Sequence, residues 1–264
     1  MKHPEIPSAV SAVKKYLPRL VFWELTRTCN LTCPHCRASA IAGPSREDLP
    51  YPEIQRILRE IAALDNTAKP IMVFSGGEPL VRKDIFDIVA YATELGLKAT
   101  LASNATLITD TVAQRLVTAG IKRIAVSVYG STADKHDTFC GQPGAFQTTL
   151  AGIKKITAHK ISLQINTTIT NRNAEELENI ARLALSLGAV AFHIFLLVPV
   201  GRGKEIRGDE LTPREYEQIL ARIYKLTQNE LYQDLFIKAT CAPHYYRIAQ
   251  VRAAADGIAK PHPA

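Results

Sequence analysis

Three cysteines stand within eight positions of one short stretch, VFWELTRTCNLTCPHCRA (residues 21–38): Cys29, Cys33 and Cys36. Their spacing is C-x3-C-x2-C, and they follow an apolar run, Leu20 to Leu25, that reads as a strand. Three thiolates on one loop can hold three corners of a cubane iron–sulfur cluster, whose usual complement is four. A local set of three therefore leaves one iron free for a small molecule, or calls for a distant fourth ligand. Two other readings of the same residues stay open. A structural zinc site could use the three thiols with His35, although His35 lies inside the Cys33–Cys36 hairpin, a poor place from which to close a tetrahedron. The cysteines could also be small buried hydrophobes.

The elements that must position this loop are legible as an alternation. Apolar runs at 71–75, 97–102, 123–128, 161–169 and 190–197 read as strands. Helical spacing falls at 51–64, 83–95, 109–119, 145–158 and 173–187. Six strands alternating with helices call for parallel pairing and right-handed crossovers. Thr212, Pro213 and Glu215 form a capping-box signature for a helix to about Gln228. LFIKAT (235–240) is a candidate seventh strand, and a helix is expected from Pro243 to about Ala255.

The 264 residues carry 47% hydrophobic side chains and a formal net charge of +7, which suits one large α/β domain with or without an appendage. The positive charge is spread rather than blocked, which disfavours nucleic acid and suits a mildly basic cleft for an anion. Five cysteines, no apolar leader and no membrane-length run point to a cytoplasmic protein without disulfides.

Further polar positions sit where strands end. Ser75-Gly76-Gly77-Glu78-Pro79 follows the second strand: glycines allow backbone approach to a ligand, and a carboxylate can accept from an ammonium group. Ser103-Asn104 ends the third strand and Ser127 the fourth; Asn166 and Thr168 alternate along the fifth. Val198 and Arg202 follow the sixth, where Arg202 between two glycines reads as exposed and suited to gripping a carboxylate. Cys140 reads as a small buried residue, with a reactive or cluster thiol as the alternative.

The thiol spacing after a first strand, with GGE one unit later, resembles the radical S-adenosylmethionine (SAM) superfamily. That resemblance implies an incomplete (β/α)6 TIM-like barrel over residues 20–210. It implies an arm at 1–19 packed across the barrel end, and a short C-terminal helical extension at 211–264. It implies one [4Fe–4S] cluster on Cys29, Cys33 and Cys36, with SAM chelated at the open iron and cleaved to a 5′-deoxyadenosyl radical. Gly76, Gly77, Glu78, Asn104, Ser127, Asn166, Thr168 and Val198 would then touch SAM. The stretch from His193 through GRG to Cys241 and Arg247 is similar to radical SAM enzymes of haem and haem d1 biosynthesis, and to related peptide and cofactor maturases. This implies an anionic tetrapyrrole substrate whose propionates are oxidatively decarboxylated, and an external one-electron donor of ferredoxin or flavodoxin type. Such relatives continue into a cysteine-rich region with an auxiliary cluster. No cysteine follows Cys241 here, so that region is expected to be incomplete and Cys241 an orphan ligand at best. A truncated, non-catalytic iron–sulfur module is the reading from another class.

Overall fold

A computed structural model describes residues 17–64 and 68–258. Most of the arm expected at 1–19 lies outside the described residues. Among the described residues, seven parallel strands form one sheet in the order in which they occur. They are β1 (Leu20–Thr26), β2 (Ile71–Gly76), β3 (Lys98–Ser103), β4 (Arg123–Ser127), β5 (Ser162–Ile169), β6 (Ala191–Leu196) and β7 (Phe236–Thr240). Doubly wound sheets reverse strand order at a switch point; this one never reverses, as in a barrel. Among the described residues β1 and β7 are its two edges, so the barrel they form is open, in keeping with the incomplete barrel expected.

The candidate seventh strand is real. It pairs in parallel with β6, setting Phe192 beside Ile237 and His193 beside Lys238. The sheet therefore runs across the division expected after residue 210. Helices α1 (Tyr51–Ala62), α2 (Ile85–Glu94), α3 (Asp110–Thr118), α4 (Ala133–Cys140), α5 (Ala145–Ala158), α6 (Leu177–Ser186), α7 (Pro213–Thr227) and α8 (Tyr245–Ala255) complete the units.

Period-two burial along the strands decides which face meets the helices. In β5, Leu163, Ile165, Thr167 and Ile169 are buried; Ser162, Gln164, Asn166 and Thr168 are half-buried on the other face. Met72, Phe74, Leu101, Ile124, Ile165, Phe192 and Ile237 belong to one core with Ile54, Leu58, Ile88, Leu116, Ile153 and Ile180 from the helices. The opposite face is the concave interior of the half-barrel.

Local chemistry fixes the element ends. At α7, Thr212 Oγ1 accepts from the Glu215 N–H at 3.3 Å while the Glu215 carboxylate accepts from the Thr212 N–H at 2.8 Å, the capping box expected. Between β4 and α5, where no helical spacing shows in the sequence, the chain forms α4. Thr132 caps it, Gly141 ends it in a left-handed turn, and it buries His136 and Cys140, one turn apart. Two buried positions are too few to give a readable helical period.

Candidate functional site

The cluster loop leaves β1 and returns to it. Cys29 N–H donates to Ile41 O at 2.8 Å, and Ile41 N–H donates to Arg27 O at 2.8 Å, closing the loop at its base. Within it, Cys36 N–H donates to Cys33 O at 3.2 Å. Two backbone N–H groups point at sulfur: Leu31 to Cys29 Sγ at 3.4 Å and Ala40 to Cys36 Sγ at 3.5 Å. Such donors stabilise thiolates and tune clusters held by them. Burial pushes the Cys29 thiol up to about 11, opposed by the Leu31 N–H.

β2 ends against this loop. Gly77 N–H donates to Thr26 O at 2.7 Å and Glu78 N–H to Thr28 O at 2.9 Å. Gly76 has φ +131°, and a Cβ there would lie 2.2 Å from Thr26 O; a Cβ on Gly77 would lie 2.2 Å from Thr28 O. Only glycine permits this approach. Glu78, expected at the cofactor, lies instead in the interior and does not line the cleft. Its carboxylate accepts from Ser103 Oγ at 2.8 Å, Asn104 N–H at 2.8 Å and Leu80 N–H at 3.1 Å, fastening β2 to β3. Complete burial pushes its pKa up to about 7 against those three donors.

Asn104 faces the loop. Its Nδ2 donates to Asn30 Oδ1 at 2.9 Å and lies 4.0 Å from Cys29 Sγ. Asn30's part depends on a contact across 74 positions, which no local pattern reveals.

Arg202 also departs from expectation. It is half-buried, and its guanidinium is turned onto the cluster loop. Nε donates to Cys33 O at 3.0 Å, Nη1 donates to Ala40 O, and the Arg202 N–H donates to Cys36 O at 3.1 Å. It clamps the loop from the segment after β6 rather than standing exposed for a ligand.

Cys140 is buried, as expected, but it is not a bystander. The neighbouring Cys140 thiol holds Cys33 below the ordinary thiol range, and Cys33 in turn holds Cys140 above it. His136 Nε2 lies 3.4 Å from Cys140 Sγ. His35, Tyr129 and Phe139 pack over this corner, with ring centroids 4.4 Å apart for His35–Tyr129 and 4.8 Å for Tyr129–Phe139. Burial brings His35 down to about 4, so its ring is neutral near pH 7.

One cavity of about 320 Å³ gathers these parts. Cys29, Cys33, Cys36 and Cys140 line one side of it, and Gly76, Gly77, Asn104, Ser127, Asn166 and Thr168 line the strand ends. Val198, 53% exposed, and Cys241 reach it from the segments after β6 and β7. Of the residues expected from sequence at the cofactor or cluster, Glu78 alone is not in its wall.

The donor set suits an iron–sulfur cluster. Three thiols share one cavity, two of them accept backbone N–H groups, and two lining residues carry buried atoms without a partner, His35 Nδ1 and Arg202 Nη2. Among the described residues, no three His, Cys, Asp or Glu side chains converge as they would round a single metal ion. The lone-ion arrangement of three thiols with His35 is therefore not formed, whereas a cubane takes each thiol on a different iron.

The family model of the radical SAM superfamily matches residues 23–184. The AdoMet-dependent heme synthase of Methanosarcina barkeri is 45% identical over 241 residues, covering 91% of this chain and 67% of the relative. The AdoMet-dependent heme synthase of Oleidesulfovibrio alaskensis is 41% identical over 240 residues, covering 91% and 60%. The chain thus spans 60–67% of the length of these two relatives. The crystal structure of Streptococcus suis SuiB bound to S-adenosylmethionine superposes with a TM-score of 0.66 at 19% identity, over 84% of this chain and 50% of that one, a likeness of fold.

Proposed function

This chain belongs to the radical SAM superfamily, and from that premise we propose that it is the catalytic core of an enzyme of haem biosynthesis that oxidatively decarboxylates porphyrin propionates. The observation that carries the radical part is the single cavity shared by Cys29, Cys33, Cys36 and the C-terminal strand ends. Active groups of parallel α/β barrels collect at those ends. The tetrapyrrole part rests on the two relatives named as haem synthases.

Cys29, Cys33 and Cys36 would hold the family's [4Fe–4S] cluster, each on one iron. When bound, the cluster supplies one electron to the sulfonium of S-adenosylmethionine and so gives access to hydrogen abstraction from an unactivated C–H. The chain's own residues do the rest. Gly76 and Gly77 bring their backbone to the cavity wall for the methionyl amino group. Ser127, Asn166 and Thr168 offer hydroxyl and amide groups to the methionyl carboxylate and ribose, and Val198 offers an apolar surface to the adenine. Asn104 positions the loop through Asn30. Glu78 acts from outside the wall by holding Asn104 and Ser103 in place. Phe195 and Leu197 in the cavity lining keep water from a reactive carbon.

An external one-electron donor of ferredoxin or flavodoxin type and a cytoplasmic location complete the reading. Among the described residues, no helix is long and apolar enough to cross a membrane.

The test is anaerobic reconstitution with iron and sulfide, followed by turnover with SAM, a reductant and iron-coproporphyrin III. The expected products are 5′-deoxyadenosine and a porphyrin with vinyl groups in place of propionates. Formation of 5′-deoxyadenosine with the porphyrin unchanged would move the proposal to another substrate. Absence of 5′-deoxyadenosine from protein carrying its irons would end the radical reading.

A further inference from the structure

The rung of the half-barrel that lines the cofactor cavity does not stop at its wall. Strand register places Ser127 beside Asn166, Asn166 beside His193, and His193 beside Lys238. Ser127 and Asn166 face the cavity; His193 and Lys238 continue the same inward row towards the open edge at β7. One residue earlier on its strand, Ile237 is buried against the helices, which leaves Lys238 on the concave side and exposed.

This face carries several cations and, among the described residues, a single acid. Its inward positions include Lys98, Arg123 and Lys238. Among the described residues Glu24 is the sole acid at an inward strand position, and Arg37 pairs with it. Neither Arg123 nor Lys238 has an acidic partner among the described residues. Arg123 has a neutral one, Ser162 Oγ at 3.1 Å. Burial and then the charges of Lys238 and Arg123 bring His193 down to about 4. With Gln164 Nε2 donating to both Asn166 Oδ1 at 2.7 Å and His193 Nδ1 at 3.1 Å, the neutral ring keeps its proton on Nε2 and offers a donor. An apolar shelf adjoins the row: Phe236 is 47% exposed with its ring centroid 6.0 Å from His193, and Phe195 lines the cavity one rung above.

We propose that Lys238, His193 and Arg123 form a carboxylate-binding site on the concave face beside the cofactor cavity, with Phe236 and Phe195 supporting a flat apolar body. The site takes a planar polycarboxylate, and it fixes which edge of that molecule reaches the cavity. Calling this ligand the substrate rests on the proposed function; the anion site itself does not.

The probe is metal-free coproporphyrin III, titrated by fluorescence into the reconstituted protein. Wild type is expected to saturate, with an affinity that weakens as salt rises. Lys238→Glu is expected to weaken binding about tenfold or more, the scale of one charge-assisted hydrogen bond. R123Q is expected to weaken it too, and Lys238→Arg to stay near wild type. Lys154→Glu, an equal charge change at an exposed site on α5, is expected to leave binding unchanged. Iron content and circular dichroism keep folding separate from binding. Equal affinities for wild type and Lys238→Glu would overturn the proposal, as would an equal loss in Lys154→Glu. Failure of wild type to cleave SAM would defeat the radical reading and leave this site standing if the Lys238 dependence holds.

Discussion

Arg202 Nε donates to the carbonyl of Cys33 at 3.0 Å across 169 positions of sequence, so the segment after β6 holds the loop after β1. The same side chain reaches Ala40 O. Arg202→Ala would leave both carbonyls without these donors, at about 1–3 kcal/mol for each that stays buried. The variant should fold, take up iron and lose it faster to a chelator than wild type does. Arg202→Lys, a point donor without the fork, should recover only part of that retention. Iron release as fast in wild type as in R202A would show that the clamp does not govern retention.

Cys140 lines the same cavity as Cys33, which raises the question of a fourth protein ligand. With the irons held by three thiols, Cys140→Ser should retain about four irons per chain and still yield 5′-deoxyadenosine. Cys33→Ser should lose the cluster. Collapse of the iron count in C140S would instead make Cys140 a ligand and leave SAM no vacant iron.

Gly77→Ala sets a methyl group against Thr28 O, 2.2 Å from where its Cβ would stand. The neighbour is backbone, so relief requires β1 and β2 to part where the cluster loop begins. We expect a loss of about 3 kcal/mol or more, read as a lower melting temperature, and poor iron uptake. Gly43→Ala, where nothing lies within 4 Å, is the matched control.

Glu78 sets a pH dependence opposite to that of a salt-bridged carboxylate. Its folded pKa is raised from 4.5 to about 7 by burial, so between these values the native state binds the proton more tightly than the unfolded chain. Its contribution is full below 4.5 and is lost as pH rises through 7. The melting temperature of wild type should therefore fall relative to that of Glu78→Gln, whose amide does not titrate, as pH rises from 4.5 to about 7. A wild type that holds level with Glu78→Gln, or gains on it, as pH rises through that window would mean that the three donors hold Glu78 ionised throughout.

The half-barrel was legible because its signals are local. Alternating apolar strands, the Thr212–Glu215 cap and the three clustered thiols each lie within a few residues of chain, and each was found where expected. What escaped depends on contacts between distant segments. Arg202 looked like an exposed anion grip because two glycines flank it, yet its partners are Cys33 O and Ala40 O. Glu78 sat in a motif that suggested a ligand, but Ser103 and Asn104, supplied by the next unit, draw it inside. Cys140 lies on a short helix with a single buried stripe, too brief for periodicity to reveal that it faces Cys33.

The central claim is that three thiols leave one iron without a protein ligand. Pulsed electron–nuclear double resonance on the reduced, reconstituted protein, with SAM labelled by 15N and 17O in its amino and carboxylate groups, tests that most directly. The account predicts couplings from both labels, with about four irons per chain. A reduced cluster of the same iron content that shows neither coupling under saturating SAM would contradict it.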